Sequence, residues 1–357
     1  MLRLNAGAPD CAIPPTASDW DILLIDDFQL MQDEAGQQAL CELIRSSPER
    51  RFVLLSRGAP PGCLTAFQYT GLMTVLTADD LLFDRNDIRR FFDACEVAAS
   101  DSEIGAVLKE SIGYPLGVAA AAQCMSGGKP FSAEIAAQAR RQVFVYFQEH
   151  IYRHFDLPIR RFLLELAPFE RFDLELARVV SGDPNAGELL EWLLSRTSML
   201  RCDDVQHFRF WPQFRAFLLW EMEREYTAER RNAIFSCGGL YYKLKEDYAR
   251  ALDCYTKGGD HSKVSELLIR NAELHPGMGH YAEMEQYYRS LPESEISASP
   301  SLMQGMSMLC ALAADYEGSE HWYRDLQKFS GQCGQTGAQP PCVAGYCPAP
   351  AGCGNAD

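Results

Sequence analysis

The chain has 357 residues, 47% of them hydrophobic, enough for two or three domains with real cores. Its net charge of −16, from 49 acidic against 33 basic residues, argues against a nonspecific polyanion-binding surface on these residues. No run of about eighteen apolar residues and no signal-peptide pattern is present, so a soluble, cytoplasmic protein without a membrane partner is expected.

Residues 1–18 lack periodicity and contain Pro9, Pro14 and Pro15, so they read as a disordered leader. Residues 19–85 read as an α/β unit. Short apolar runs at 22–25 and 52–55 suit strands of a parallel sheet buried on both faces, and 34–45 puts Ala35, Ala39, Leu40, Leu43 and Ile44 on one face of a covering helix. Asp26, Asp27 and Arg57 then sit at the carboxyl ends of the strands, the edge where open α/β sheets bind ligands. In a nucleotide site Asp26 is placed to hold Mg²⁺, Asp27 to orient water and Arg57 to read a terminal phosphate. The plain alternative is that charged residues end strands because loops are wet.

A nucleotide site of this kind needs a phosphate-cradling G-x-x-x-x-G-K-[ST] before the acidic strand. The twenty residues preceding Asp21 contain none. Gly127-Gly128-Lys129 imitates it, but Pro130 follows where Ser or Thr must bind Mg²⁺ and Gln123 stands at the first glycine position, so this stretch reads as a loop.

Residues 86–140 turn helical, with Ile88, Phe91, Phe92 and Cys95 in one stripe and Asp101 as the cap of a helix ending at Gly113. Residues 142–157 present Val143, Phe147, Ile151 and Phe155 at helical spacing, and Pro158 starts the next helix. His150 and His154 lie four apart on the first of these, but Ile151 breaks the H-E-x-x-H pattern and no third metal ligand is evident, so they read as exposed or packed histidines. A helix at 189–195 and a hairpin around Asp203-Asp204 give residues 141–227 a winged-helix layout, whose acidic wing tip suits intramolecular packing better than DNA contact.

Helix pairs at 233–244, 248–257 and 262–271 make 228–329 a degenerate tetratricopeptide-like array, with Ala249 and Ala251 admitting close packing; a plain helical core reads equally well. Residues 330–357 shift to Gly, Pro, Cys and Gln and read as disordered; a shifted reading frame or chimeric end fits that switch. Of thirteen cysteines, nine are scattered singly, as small hydrophobes usually are, and Cys333, Cys342, Cys347 and Cys353 match no C-x-x-C metal spacing.

Four segments carry a family likeness. Leu24-Ile25-Asp26-Asp27-Phe28-Gln29 resembles a Walker B strand and Leu54-Leu55-Ser56-Arg57 a sensor-arginine strand. Leu81-Leu82-Phe83-Asp84, the helix after it and Gly113-Tyr114-Pro115-Leu116-Gly117 resemble a helical lid with a glycine-x-proline turn, and 208–218 resembles the end of a winged-helix domain. In this order they make residues 19–329 similar to the large ATP-dependent LuxR-type transcriptional regulators, the MalT-like group of STAND signal-transduction ATPases. The resemblance implies ATP or ADP with Mg²⁺ as cofactor, Asp26 and Asp27 as catalytic residues with Asp26 on the metal, and Arg57, Gly113, Tyr114 and Pro115 as nucleotide contacts, the last two near the adenine. It also implies a slow regulatory ATPase, a small-molecule or protein inducer on the helical repeats, and self-association of the full-length protein. DNA binding would fall to a C-terminal helix-turn-helix that these residues lack. Where the family usually carries His-Pro, with a histidine sensing phosphates, this chain has Trp211-Pro212, and an indole has one donor and no charge.

The expected fold is therefore α/β, a truncated P-loop NTPase-type parallel sheet, followed by mostly α: lid, winged helix and repeats. The expected function is an internal fragment of such a regulator with impaired nucleotide binding. The alternative is a nucleotide-free helical-repeat interaction scaffold; no nucleophile and base at telling positions support an independent enzyme. A sheet lacking its P-loop strand is expected to leave unpaired edges and poor solubility.

Overall fold

The computed structural model describes residues 1–8, 13–14, 19–31, 33–58, 60–203, 206–274 and 281–333. Residues 9–12 and 15–18 of the leader, Asp204 and the tail cysteines Cys342, Cys347 and Cys353 lie outside the described residues. The chain divides into two compact units, Met1–Thr227 and Ala228–Asp357. No helix among the described residues is long and apolar enough to cross a membrane.

The first unit opens on a three-stranded parallel sheet of order β1-β2-β3, with β1 at Leu2–Asn5, β2 at Ile22–Asp26 and β3 at Arg51–Leu54. Ile25 is in register with Leu4 on one side and Leu54 on the other. Strand β1 falls within the stretch read as a disordered leader. Its Leu2 and Leu4 alternate with Arg3 and Asn5 and pack against the buried cluster of Leu23, Ile25, Leu40 and Leu43, a period-two pattern too short to stand out beside the prolines. The strands are not buried on both faces either: Leu23 and Ile25 are fully buried, but Val53 and Leu55 are 41% and 45% exposed.

Helix α1, Glu34–Ser46, is capped by Asp33, whose carboxylate accepts from the Gly36 amide at 2.7 Å. It buries Leu40, Cys41 and Leu43 against the sheet. Short α2, Thr65–Tyr69, is followed by α3, Arg85–Ala94, where Asp84 and Asp87 form a capping box. Ser100, not Asp101, caps α4, Asp101–Ser111, because its hydroxyl reaches the Glu103 amide while Glu103 returns to the Ser100 amide. Ile112 and Gly113 then take left-handed conformations, and α5, Pro115–Met125, starts on a proline that costs no hydrogen bond there.

Residues 142–157 do not form one helix. Helix α6, Ala133–His150, breaks at Ile151 (φ −128°, ψ −64°) into a 3-10 turn, Tyr152–His154. The Arg160 guanidinium donates to the carbonyls of Arg153 and Phe155, satisfying the chain where the helix stops. His150 and His154 therefore do not share a helix face, and no group of three or more potential metal ligands occurs among the described residues.

Helices α7 (Leu157–Leu166), α8 (Leu174–Ser181) and α9 (Ala186–Arg196) lead into an antiparallel hairpin, β4 (Leu200–Cys202) and β5 (Phe208–Phe210), and then α10 (Pro212–Glu225). Buried Phe147 of α6 meets Phe214 of α10 edge to face at 5.6 Å and Phe217 of α10 in a tilted contact at 5.8 Å, locking these helices together. In the hairpin, Asp203 pairs with Arg171 and accepts from the His207 amide.

The second unit is helical: α11 (Ala228–Leu244), α12 (Tyr248–Lys257), α13 (His261–Leu274), α14 (Tyr281–Ser290), α15 (Glu293–Ser297), α16 (Pro300–Leu312) and α17 (Tyr316–Cys333). The close approach of α11 to α12 rests on Gly239, where a Cβ would lie 2.5 Å from the Tyr255 ring, and on fully buried Ala251. Ala249, expected to share that role, is exposed. Gly305 of α16 lies equally close to Tyr288 of α14.

Candidate functional site

The carboxyl edge of the sheet carries a connected polar cluster. Beyond β2 the chain turns at Asp27, in the left-handed region (φ 53°, ψ 38°) that aspartate tolerates better than most residues. Two backbone bonds fix this turn: the Phe28 amide donates to the Leu55 carbonyl and the Leu55 amide to the Ile25 carbonyl, each at 2.9 Å. Gln29 bridges the two strand ends. Its Nε2 donates to Asp27 Oδ1 at 3.1 Å, and its Oε1 accepts from the Arg57 amide at 3.1 Å. The Arg57 guanidinium stands 3.8 Å from Asp27 Oδ1, and Asn5 of β1 donates to Asp27 Oδ2 at 3.3 Å.

Asp26 behaves differently. Arg3 of β1 donates to its Oδ2 and the Asp27 amide to its Oδ1. The Arg3 hydrogen bond, with smaller help from the Asp27 amide, holds the Asp26 carboxyl below the usual carboxylate range. Asp27 and Arg57 line a cavity of about 770 Å³; Asp26 does not.

Opposite the sheet, that cavity is walled by Tyr114, by His150 and His154, by Arg196 at the end of α9 and by Met199 in the segment after it. Tyr114 precedes α5, its ring 6.2 Å from Phe147 and 5.9 Å from Trp211. Burial first, and the neighbouring Tyr146 second, push its phenol up. Gly113 and Pro115 shape the wall without lining it. At Gly113 (φ 72°) the backbone is tied to residue 83, whose amide donates to the Gly113 carbonyl at 2.8 Å, and a Cβ there would fall 2.5 Å from the Phe83 carbonyl oxygen. The turn after Arg57 closes on α9 just as tightly, since a Cβ on Gly58 would lie 2.5 Å from the Ser195 carbonyl oxygen.

Trp211 is 6% exposed, its amide bonded to the Met199 carbonyl and the Arg201 guanidinium 4.3 Å above its ring. Arg201 in turn pairs with Asp79 at 2.6 Å. The indole is thus a packed wedge behind Met199 and Tyr114, outside the cavity lining. Of the residues singled out in the sequence, Asp27, Arg57 and Tyr114 meet in one cavity, and His150 and His154 join them on its wall. Arg3, Asn5, Gln29 and Arg196 were not singled out. Gln29 lies in the quoted acidic motif, and Arg3 and Asn5 are the polar half of an alternation; Arg196 has no sequence signal beyond ending a helix.

Chemically, the Asp27 carboxylate, held by Asn5 and Gln29 beside the Arg57 guanidinium, suits the metal and terminal-phosphate end of a bound nucleotide, and Tyr114 offers an aromatic face. The backbone N–H cradle and lysine supplied by G-x-x-x-x-G-K-[ST] have no counterpart in this sequence.

Residues 148–230 match the family described as the MalT winged helix domain. The HTH-type transcriptional regulator MalT of Serratia proteamaculans (strain 568) is 24% identical over 327 residues, covering 87% of this chain and 34% of that protein. The regulator of the same name from Yersinia enterocolitica is 24% identical over 300 residues, covering 80% and 33%. The chain spans about a third of the length of the curated relatives it matches. Among solved structures, the Walker-type ATPase PABY2304 of Pyrococcus abyssi aligns at a TM-score of 0.39 and 15% identity, over 55% of this chain and 62% of that one. The STAND protein PH0952 of Pyrococcus horikoshii, which has a tetratricopeptide repeat sensor, aligns at 0.40 and 14%, over 85% and 43%. Scores this low do not establish a shared global fold. The similarity to the MalT-like group read from the sequence therefore rests on the regulators and on the winged-helix match.

Proposed function

We propose that this relative of the MalT-type regulators is the switch portion of an ATP-dependent LuxR-type transcriptional regulator, with nucleotide binding weakened in the chain as it stands. The observation that carries the reading is the cavity in which Asp27 and Arg57 of the sheet edge face Tyr114 and the end of α9. Such a cavity couples ligand to conformation, because a bound molecule touches the sheet, the turn before α5 and the winged-helix residues together, and stabilises whichever arrangement gives it the most contacts.

In this reading Arg57 holds a terminal phosphate, Asp27 takes Mg²⁺ or orients water, and Asp26, neutralised by Arg3, positions the Asp27 amide. Gly113 and Pro115 set Tyr114 beside the base. The bound cofactor would supply the metal and the phosphate charge; the chain orients them. The helices of the second unit act as a tetratricopeptide-like array that takes a small-molecule or protein inducer, self-association follows in the full-length protein, and DNA is bound by a further domain.

A nucleotide-free scaffold is the second reading, favoured by the buried Trp211, whose indole can neither charge nor reach the cavity. Titration of the full chain with a fluorescent ATP analogue and Mg²⁺ tests both. Weak binding, on the order of millimolar, that Asp27→Ala and Arg57→Ala both reduce supports the switch. Binding indifferent to both substitutions, or none at all, favours the scaffold.

A further inference from the structure

The sheet-edge cavity carries more positive charge than one terminal phosphate needs. Its lining holds two guanidiniums, Arg57 and Arg196, against one carboxylate, Asp27, in a chain whose net charge is −16. Asp27 already accepts from Asn5 and Gln29 and stands 3.8 Å from Arg57. Arg196 is half-buried and, among the described residues, its side chain has no hydrogen bond or ion pair.

A basic residue at a helix end is ordinarily explained by the helix dipole and the last carbonyls. At the end of α9 other groups satisfy those carbonyls: the Thr197 hydroxyl donates to the Leu193 carbonyl and the Ser195 hydroxyl to the Trp192 carbonyl, each at 2.9 Å. The Arg196 guanidinium is left to the cavity. The two arginines are also tied together through the backbone. Gly58, next to Arg57, approaches Ser195, next to Arg196, so closely that a Cβ on Gly58 would lie 2.5 Å from the Ser195 carbonyl oxygen. Both side chains thus leave a common contact between the strand end and α9 and line one cavity, where like charges repel unless an anion joins them.

We infer that Arg196 is the winged-helix contact for the phosphate chain of the ligand, and that Arg57 and Arg196 together select a di- or triphosphate over a monophosphate. The inference rests on the nucleotide reading of this cavity and deepens it, by giving residue 196 the contact that Trp211, packed outside the lining, cannot make. His150 and His154 share the wall, but both are exposed, and an imidazole's charge varies with pH whereas a guanidinium stays charged. A chain of two or more phosphates reaches both arginines, while a single phosphate engages one.

Affinities of ATP, AMP and inorganic tripolyphosphate for the full 357-residue chain are measured by equilibrium dialysis with Mg²⁺. ATP is expected to bind at least roughly tenfold more tightly than AMP. Arg196→Gln should weaken ATP roughly tenfold and leave AMP within about twofold, with the melting curve unchanged because the side chain has no partner to lose. Arg196→Lys, which keeps a point charge without the planar fork, should restore part of the preference, as a merely structural role would not. Displacement of ATP by tripolyphosphate would show that the phosphate chain alone satisfies the two arginines; no displacement, with the Arg196→Gln effect present, assigns the site to nucleotides. Equal affinity for ATP and AMP, or a preference unchanged in Arg196→Gln, overturns the inference. If Arg57→Ala still weakens ATP in that case, the nucleotide reading stands, whereas ATP that fails to bind the unsubstituted chain removes both.

Discussion

Gly113→Ala tests how the sheet-edge cavity is built. Two costs add at this position. An alanine at φ 72° carries the left-handed penalty of about 1–2 kcal/mol. Its Cβ would also meet the Phe83 carbonyl oxygen at 2.5 Å, so the backbone must shift and loosen the bond from the Phe83 amide to the Gly113 carbonyl, worth about 1 kcal/mol. The expected total is about 2–3 kcal/mol. Gly128→Ala is the control, because Gly128 has φ 80° but nothing within 4 Å of a built Cβ, so only the conformational penalty applies. The assay is urea denaturation of the full chain followed by tryptophan fluorescence. Trp20, Trp192, Trp211 and Trp220 belong to the first unit and only Trp322 to the second, so the signal reports mainly the unit that contains both glycines. If Gly113→Ala costs no more than Gly128→Ala, the close approach to residue 83 does not exist as described.

Other outcomes follow from the same geometry. Arg3→Ala should move the Asp26 titration, followed by carboxyl-detected NMR, up toward the ordinary carboxylate range; since the folded pKa is the depressed one, Asp26 contributes stability above the unfolded pKa and loses it as pH falls through the folded value. An unmoved titration would remove the Arg3 contact. Gly239→Ala should destabilise the second unit by roughly 1–3 kcal/mol despite alanine's better helix propensity, because the Tyr255 ring stands 2.5 Å from the new Cβ; a thermal melt with unchanged or raised midpoint would contradict it. The Cys41 thiol, pushed up to about 11 by burial and then by the hydrogen bond and charge of Cys63, should resist iodoacetamide at neutral pH while exposed Cys95 and Cys202 label, as peptide mass spectrometry would show.

What the sequence made legible follows the range of each signal. The acidic turn, the Arg57 strand and α1 were readable because apolar spacing and charged strand ends are local patterns. Strand β1 was not, since four alternating residues beside prolines carry too little periodicity, although Arg3 and Asn5 supply the partners of Asp26 and Asp27. The helical spacing through Phe155 concealed the break at Ile151, because the 3-10 turn that follows still buries Tyr152 and Phe155. Nothing in the string Leu194-Ser195-Arg196-Thr197 signals that Arg196 lines the same cavity as Arg57, because that depends on where Gly58 lies in space.

The expectation of unpaired edges on the sheet is modified by β1, which gives β2 a partner on both sides, while Val53 of β3 and Leu55 just beyond it leave one face of that edge in solvent. Sedimentation of the purified chain would show self-association through that face, and Val53→Lys should reduce it.

Hydrogen exchange of the full chain with and without saturating Mg-ATP tests the switch reading most directly. Protection should rise together at residues 27–30, 57–58, 114 and 196–199, the four segments that meet in the sheet-edge cavity. Bound nucleotide that leaves all four unchanged, or protects only residues of the second unit, would contradict it.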